Sequence, residues 1–165
     1  MATKSMQIQI RVTAGEKAAL RRLARAARLD LSAYVLSRVF PAEQERFAGI
    51  LLALRSASEA DARFALAELN DFLSSIAPAF LASAVAHADL RGVSTFHRNY
   101  VAAMVEQAAG QKKVLPPAWT RDVPPMESPY FASSLKSLRF HLLCVSPIPF
   151  RRRNLFVDAG VGSRV

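Results

Sequence analysis

The chain has 165 residues, enough to bury a hydrophobic core, and a formal net charge of +9. Its one cysteine, Cys144, excludes a disulfide framework within the chain, a Cys-rich zinc site and a CxxC redox pair. A reducing, cytoplasmic setting is therefore expected, and no signal-peptide pattern opens the sequence. The run from Phe72 to Ala88 lacks Lys, Arg, Asp and Glu, but it is short for a membrane span and interrupted by Pro78 and several serines, so no membrane segment is expected.

Charge is distributed unevenly. Residues 1–40 hold eight Lys/Arg against two acids, residues 41–110 hold five against eight, and residues 111–165 hold nine against three. Basic ends thus flank a mildly acidic middle, a balance that suits a polyanionic partner because Lys and Arg displace counterions condensed on phosphates. A solvated basic face has the same composition, so charge alone does not decide the matter.

Met6–Val12 alternates strictly, with Ile8, Ile10 and Val12 on one face and Gln7, Gln9 and Arg11 on the other, the period of a half-buried strand. Thr13-Ala14-Gly15-Glu16 has the spacing of a capping box, so a helix is expected from there to about residue 28. Leu20, Leu23, Ala24 and Ala27 form its apolar stripe, and Arg21, Arg22, Arg25 and Arg28 occupy the rest. After a turn at Leu29-Asp30-Leu31, Ser32 is the expected cap of a second helix carrying Val35, Leu36, Val39 and Phe40, with Pro41 as its boundary.

The middle of the chain reads as a small helical bundle. Its stripes are Phe47, Ile50, Leu51 and Leu54, then Leu66, Leu69, Phe72, Leu73 and Ile76, then Phe96, Tyr100, Val101, Met104 and Val105, the last ended by Gly110. Pro78 and Arg91-Gly92 supply the breaks. Val114–Pro129 is a proline-rich strap unsuited to a helix or an inner strand. A helix through Leu135, Leu138 and Leu142 is expected over Phe131–Val145, closed by Pro147 and Pro149. The basic, then apolar, tail Phe150–Val157 fits either a strand or a docked extended segment. The expected architecture is mainly α, divided into residues 1–40, 41–110 and 111–165: an N-terminal module, a small helical bundle, and a strap, helix and irregular basic tail.

A lone seven-residue strand is unstable in water and needs a second edge, which another copy of the chain can supply. Antiparallel pairing would set Ile8, Ile10 and Val12 of both copies against the helices and leave Gln7, Gln9 and Arg11 as a polar ribbon. In a major groove Gln can pair bidentately with adenine and Arg with guanine. The strand alternation, the Thr13 to Glu16 box and the Leu-Asp-Leu-Ser-Ala-Tyr-Val turn resemble the ribbon-helix-helix repressors of the Arc and MetJ type over about residues 6–40. That resemblance implies an obligate homodimer on double-stranded DNA, with base reading by Gln7, Gln9 and Arg11. It further implies phosphate contacts from Lys4 and from the amides of Leu31, Ser32 and Ala33, and a dimer core of Ile8, Ile10, Val12, Leu20, Leu23, Val35, Leu36 and Val39. Where that family often has glycine in the inter-helix turn, this chain has Asp30.

The whole organisation is similar to that of antitoxins from toxin–antitoxin systems, in which a DNA-binding module represses the operon and the remainder holds a toxin. The stretch from Asn99 to Phe131 and the tail Phe150 to Asp158 resemble bacterial proteins of unassigned function. Trp119, Arg151, Arg152, Arg153 and Phe156 are the candidate partner-binding residues, with packing as the competing role for Trp119 and a solvated basic turn as the competing role for the arginines. Two alternatives stand beside the regulator. Arg91 and His97 have a spacing similar to that of the Arg–His pair of HEPN-type ribonucleases. Residues 6–40 also suit an edge strand and two ordinary amphipathic helices that begin a larger α-rich domain, in a protein-interaction module that does not bind DNA. No metal set, cofactor motif, phosphate loop or nucleophile elbow is visible, so an enzyme is not expected.

Overall fold

The computed structural model describes residues 9–26, 30–39, 42–56, 58–158 and 160. They are mainly helical and divide into two compact units, Met1–Pro41 and Ala42–Val165.

In the first unit, α1 (Ala14–Ala26) and α2 (Leu31–Val39) form a helical pair. α1 begins where the capping box places it: the Thr13 amide donates to Glu16 Oε2 at 2.8 Å and the Glu16 amide to Thr13 Oγ1 at 3.3 Å. The start of α2 differs from the expectation. The Tyr34 amide donates to the Asp30 carbonyl at 2.9 Å, the first bond of the helix, so Asp30 stands at the cap and Ser32 lies inside the first turn.

The second unit is organised around α6 (Thr95–Gln111), whose Val101 to Val105, Ala108 and Ala109 are all buried. A helix apolar on nearly every side must be covered on nearly every side. Covering it are α4 (Glu59–Ser75), α5 (Pro78–Ala84), α7 (Trp119–Asp122) and α9 (Ile148–Arg151), while α3 (Ala42–Ser56) packs on α4 and α5. The three apolar stripes read from the sequence meet here, with Phe47 stacked on Phe72 at 6.0 Å between ring centres. Ser58 and Ser94 cap α4 and α6 through their hydroxyls, and Pro78 occupies the first turn of α5. Gly92 turns the chain before α6 at φ 75°, in the left-handed region that side chains with a Cβ avoid.

Several boundaries differ from the sequence reading. Gly110 lies inside α6, which ends one residue later at Gln111 and is capped at Lys112. Lys113 at φ 56° is the left-handed residue, its amide bonded to the Gly110 carbonyl at 3.2 Å and the Val114 amide to the Ala109 carbonyl at 2.9 Å. The proline-rich strap holds one helical turn, α7, begun by the Thr120 amide on the Pro117 carbonyl at 3.2 Å. Phe131–Val145 is not one helix. Tyr130–Phe131 (β1) pairs in parallel with Leu155–Phe156 (β2), a 3-10 turn covers Lys136–Leu138, and only Arg139–Val145 is α-helical (α8). Of the expected stripe Leu142 is buried, whereas Leu135 and Leu138 are exposed. The physical reason is a partner distant in sequence: the Phe131 ring stacks on Phe156 at 4.9 Å, which holds residue 131 in the strand pair. α8 ends at Val145, ahead of Pro147 as expected, and Pro147 and Pro149 also begin α9. The tail is therefore a helical turn followed by a short strand.

Candidate nucleic-acid interface

The approach to α1 is exposed. Gln9 and Arg11 face solvent, but so do their apolar neighbours: Ile10 is 70% exposed and Val12 44%. Among the described residues 9–13 none is in a strand. Leu23 on α1 is also exposed, Leu20 and Val35 are half-buried, and only Ala24 and Tyr34 are buried among the described residues of the unit. Among the described residues, Ile10, Val12 and Leu23 are thus left uncovered. Lys4, Gln7 and Ile8 lie outside the described residues, as do the side chains of Ala33, Leu36 and Val39.

Around these side chains the charge is positive. Arg11, Lys17, Arg21, Arg22, Arg25 and Arg38 are all exposed, and the Arg38 guanidinium lies 5.3 Å from the centre of the Tyr34 ring. Glu16 is the one acid of α1, and the Thr13 amide and hydroxyl hold its carboxyl below the usual carboxylate range. Its charge is thereby spent on the helix start, where the macrodipole favours it. At the other helix, Leu31 and Ser32 occupy the first turn of α2, with Leu31 half-buried and Ser32 exposed. The first amides of a helix have no partner within it and attract anions.

The candidate partner-binding residues of the second unit divide sharply. Arg151 is exposed. Arg153 is buried: its Nη2 donates to Glu106 Oε1 at 2.6 Å and to the Thr120 carbonyl at 2.7 Å, and its Nη1 to the Val123 carbonyl at 3.3 Å. Arg152, two-thirds exposed, donates to Glu106 Oε2 at 3.2 Å. Trp119 is half-buried, its indole N–H donating to the Val85 carbonyl at 2.8 Å beside the Phe47 ring, and Phe156 is half-buried against Phe131. Arg153, Trp119 and Phe156 are thus committed to the fold, which leaves Arg151 and part of Arg152 at the surface. Glu106 is the residue that the helical pattern does not reveal. Its one sequence signal is a carboxylate within an otherwise apolar helix, where burial demands a cation.

Arg91 and His97 are not brought onto one helix. Arg91 sits in the turn with Gly92, exposed and bidentate to Asp89 at 2.9 Å through Nε and Nη2, and Asp89 also accepts from Arg55 at 2.7 Å. These hydrogen bonds, those from Arg91 foremost, hold the Asp89 carboxyl far below its usual range. His97 lies in the first turn of α6, with its Nδ1 3.1 Å from Ser94 Oγ and its ring at 5.2 Å from the Phe96 ring, and burial pushes its pKa down. Its local role is at the cap, where its amide donates to Ser94 Oγ at 3.2 Å. Among the described residues no group of three His, Cys, Asp or Glu side chains is placed to hold a metal ion, and no helix is long and apolar enough to cross a membrane.

The chain matches no protein-family model, no curated protein and no solved structure.

Proposed function

We propose that the protein is a homodimeric, sequence-specific DNA-binding regulator whose first unit reads the major groove and whose second unit carries a protein partner, the arrangement of an antitoxin that represses its own operon. The observation that carries this reading is the exposure of Ile10 and Val12 beside Gln9 and Arg11, directly ahead of a capped helix in a unit surrounded by arginines. If residues 6–12 become a strand by pairing with those of a second chain, the apolar side is covered and the amide and guanidinium groups turn outward, an arrangement that serves both faces of the alternation. Base-edge bonds from Gln9 and Arg11, joined by Gln7, would supply specificity. Amides at the start of α2 and the basic side chains of α1 would supply phosphate contacts that set register and affinity.

A mobility-shift series on DNA from upstream of the gene tests this, with salt varied. Arg11→Ala should weaken binding by about 1–3 kcal/mol and relax base preference at one position in each half-site, as the loss of a bidentate contact does. Unchanged affinity and preference would remove the base-reading role. Affinity that does not fall with added salt would remove the phosphate contacts as well.

A further inference from the structure

α8 is apolar on two sides. Leu142 is buried, whereas Phe140 and Leu143, three residues apart and therefore on a common helical face, are exposed, Phe140 to 77%. Leu135 and Leu138, at the start and end of the preceding 3-10 turn, are exposed as well. Among the described residues this apolar side of α8 is left uncovered.

The charge of this surface indicates what would fit it. From Ser128 to Val157 the chain has no Asp or Glu, and Lys136 and Arg139 stand exposed among the four apolar residues. A second α8 of the same kind would set like charges together, while an acidic surface would complement them. The helix has seven residues, which suffice to anchor two large side chains in a pocket.

We propose that the 3-10 turn and α8 form a docking ridge for an acidic protein partner, with Phe140 and Leu143 seated in an apolar groove and carboxylates at the groove's edge facing Lys136 and Arg139. This extends the partner-binding half of the function proposed above and is independent of its DNA-binding half. The ridge replaces Arg153, Trp119 and Phe156, whose side chains are engaged inside the unit.

The test uses the full chain and a fluorescein-labelled amphipathic helix of Leu and Glu as probe, read by anisotropy. Its Leu/Lys counterpart and vesicles of phosphatidylglycerol serve as competing arms. The Leu/Glu peptide should bind, and Phe140→Ser, Leu143→Ser and Lys136→Glu should each weaken it by about tenfold. The urea midpoint followed by Trp119 fluorescence, and DNA binding, should stay as in the parent. Equal binding of the Leu/Lys peptide, or indifference to all three substitutions, would overturn the proposal. So would vesicle binding that the same substitutions abolish, which would assign the ridge to a lipid surface. Loss of folding in Phe140→Ser would contradict the exposure on which the ridge rests, and Lys136→Glu then reads the charge requirement separately. Failure to bind DNA with peptide binding intact would strike the DNA-binding reading and leave the ridge standing.

Discussion

Replacing Arg153 with Met should destabilise the second unit by about 3 kcal/mol or more, because it opens the buried contact between α6 and the tail. The guanidinium bonds Glu106 at 2.6 Å and the carbonyls of Thr120 and Val123 at 2.7 and 3.3 Å, with its side chain 7% exposed and that of Glu106 8%. Removing one member of such a pair costs about 3–5 kcal/mol, since the other is left charged and poorly hydrated. Arg152 still reaches Glu106 Oε2 at 3.2 Å, which places the loss at the lower end of that range. For a unit of this size about 3 kcal/mol corresponds to a fall of roughly 10 °C in Tm. The single tryptophan, Trp119, sits against Phe47 in the same unit, so its fluorescence in urea reports the transition directly. The double variant Glu106→Leu, Arg153→Met should be less destabilised than the two single losses added together, with a coupling of about 2 kcal/mol. A single-variant cost below about 1 kcal/mol, or strict additivity, would refute the reasoning.

Lys113→Gly should stabilise the same unit by about 0.5–1 kcal/mol in that urea assay, because glycine takes the φ of 56° that closes α6 without a Cβ penalty. No gain would mean that side-chain contacts of Lys113 outweigh the strain. His97 makes stability depend on pH with a definite sign. Its folded pKa lies below the ordinary value of about 6.5, so the unfolded chain binds the proton more readily and stability falls as pH drops through about 6.5. His97→Gln should therefore lose less stability than the parent between about pH 7.5 and about pH 5.5. Equal losses would show that burial does not bias this imidazole.

Much of the bundle is legible in local spacing. Phe47, Ile50, Leu51 and Leu54, or Leu69, Phe72 and Leu73, repeat at helical intervals and are the residues the core buries. Local spacing fails where the decisive contact is far along the chain. Nothing near Phe131 announces that Phe156 will hold it in a strand pair, and nothing near Arg153 announces Glu106. Chain ends of helices fail for a related reason. Gly110 is the residue expected to close α6, yet Lys113 accepts the left-handed conformation because Val114 turns back onto the apolar core. In the first unit the capping box of Thr13 and Glu16 is legible in the sequence because both halves lie within one turn. The candidate DNA-reading side chains are legible only as alternation, whose meaning depends on a second chain.

Sedimentation equilibrium of the full chain and of Ile10→Asp tests that dependence most directly. If the first strands pair, the parent sediments at twice its 18.1 kDa chain mass at micromolar concentration and Ile10→Asp, with a carboxylate driven into the shared apolar face, sediments as the single chain. A parent at the single-chain mass, or a variant that stays dimeric, would contradict the paired ribbon.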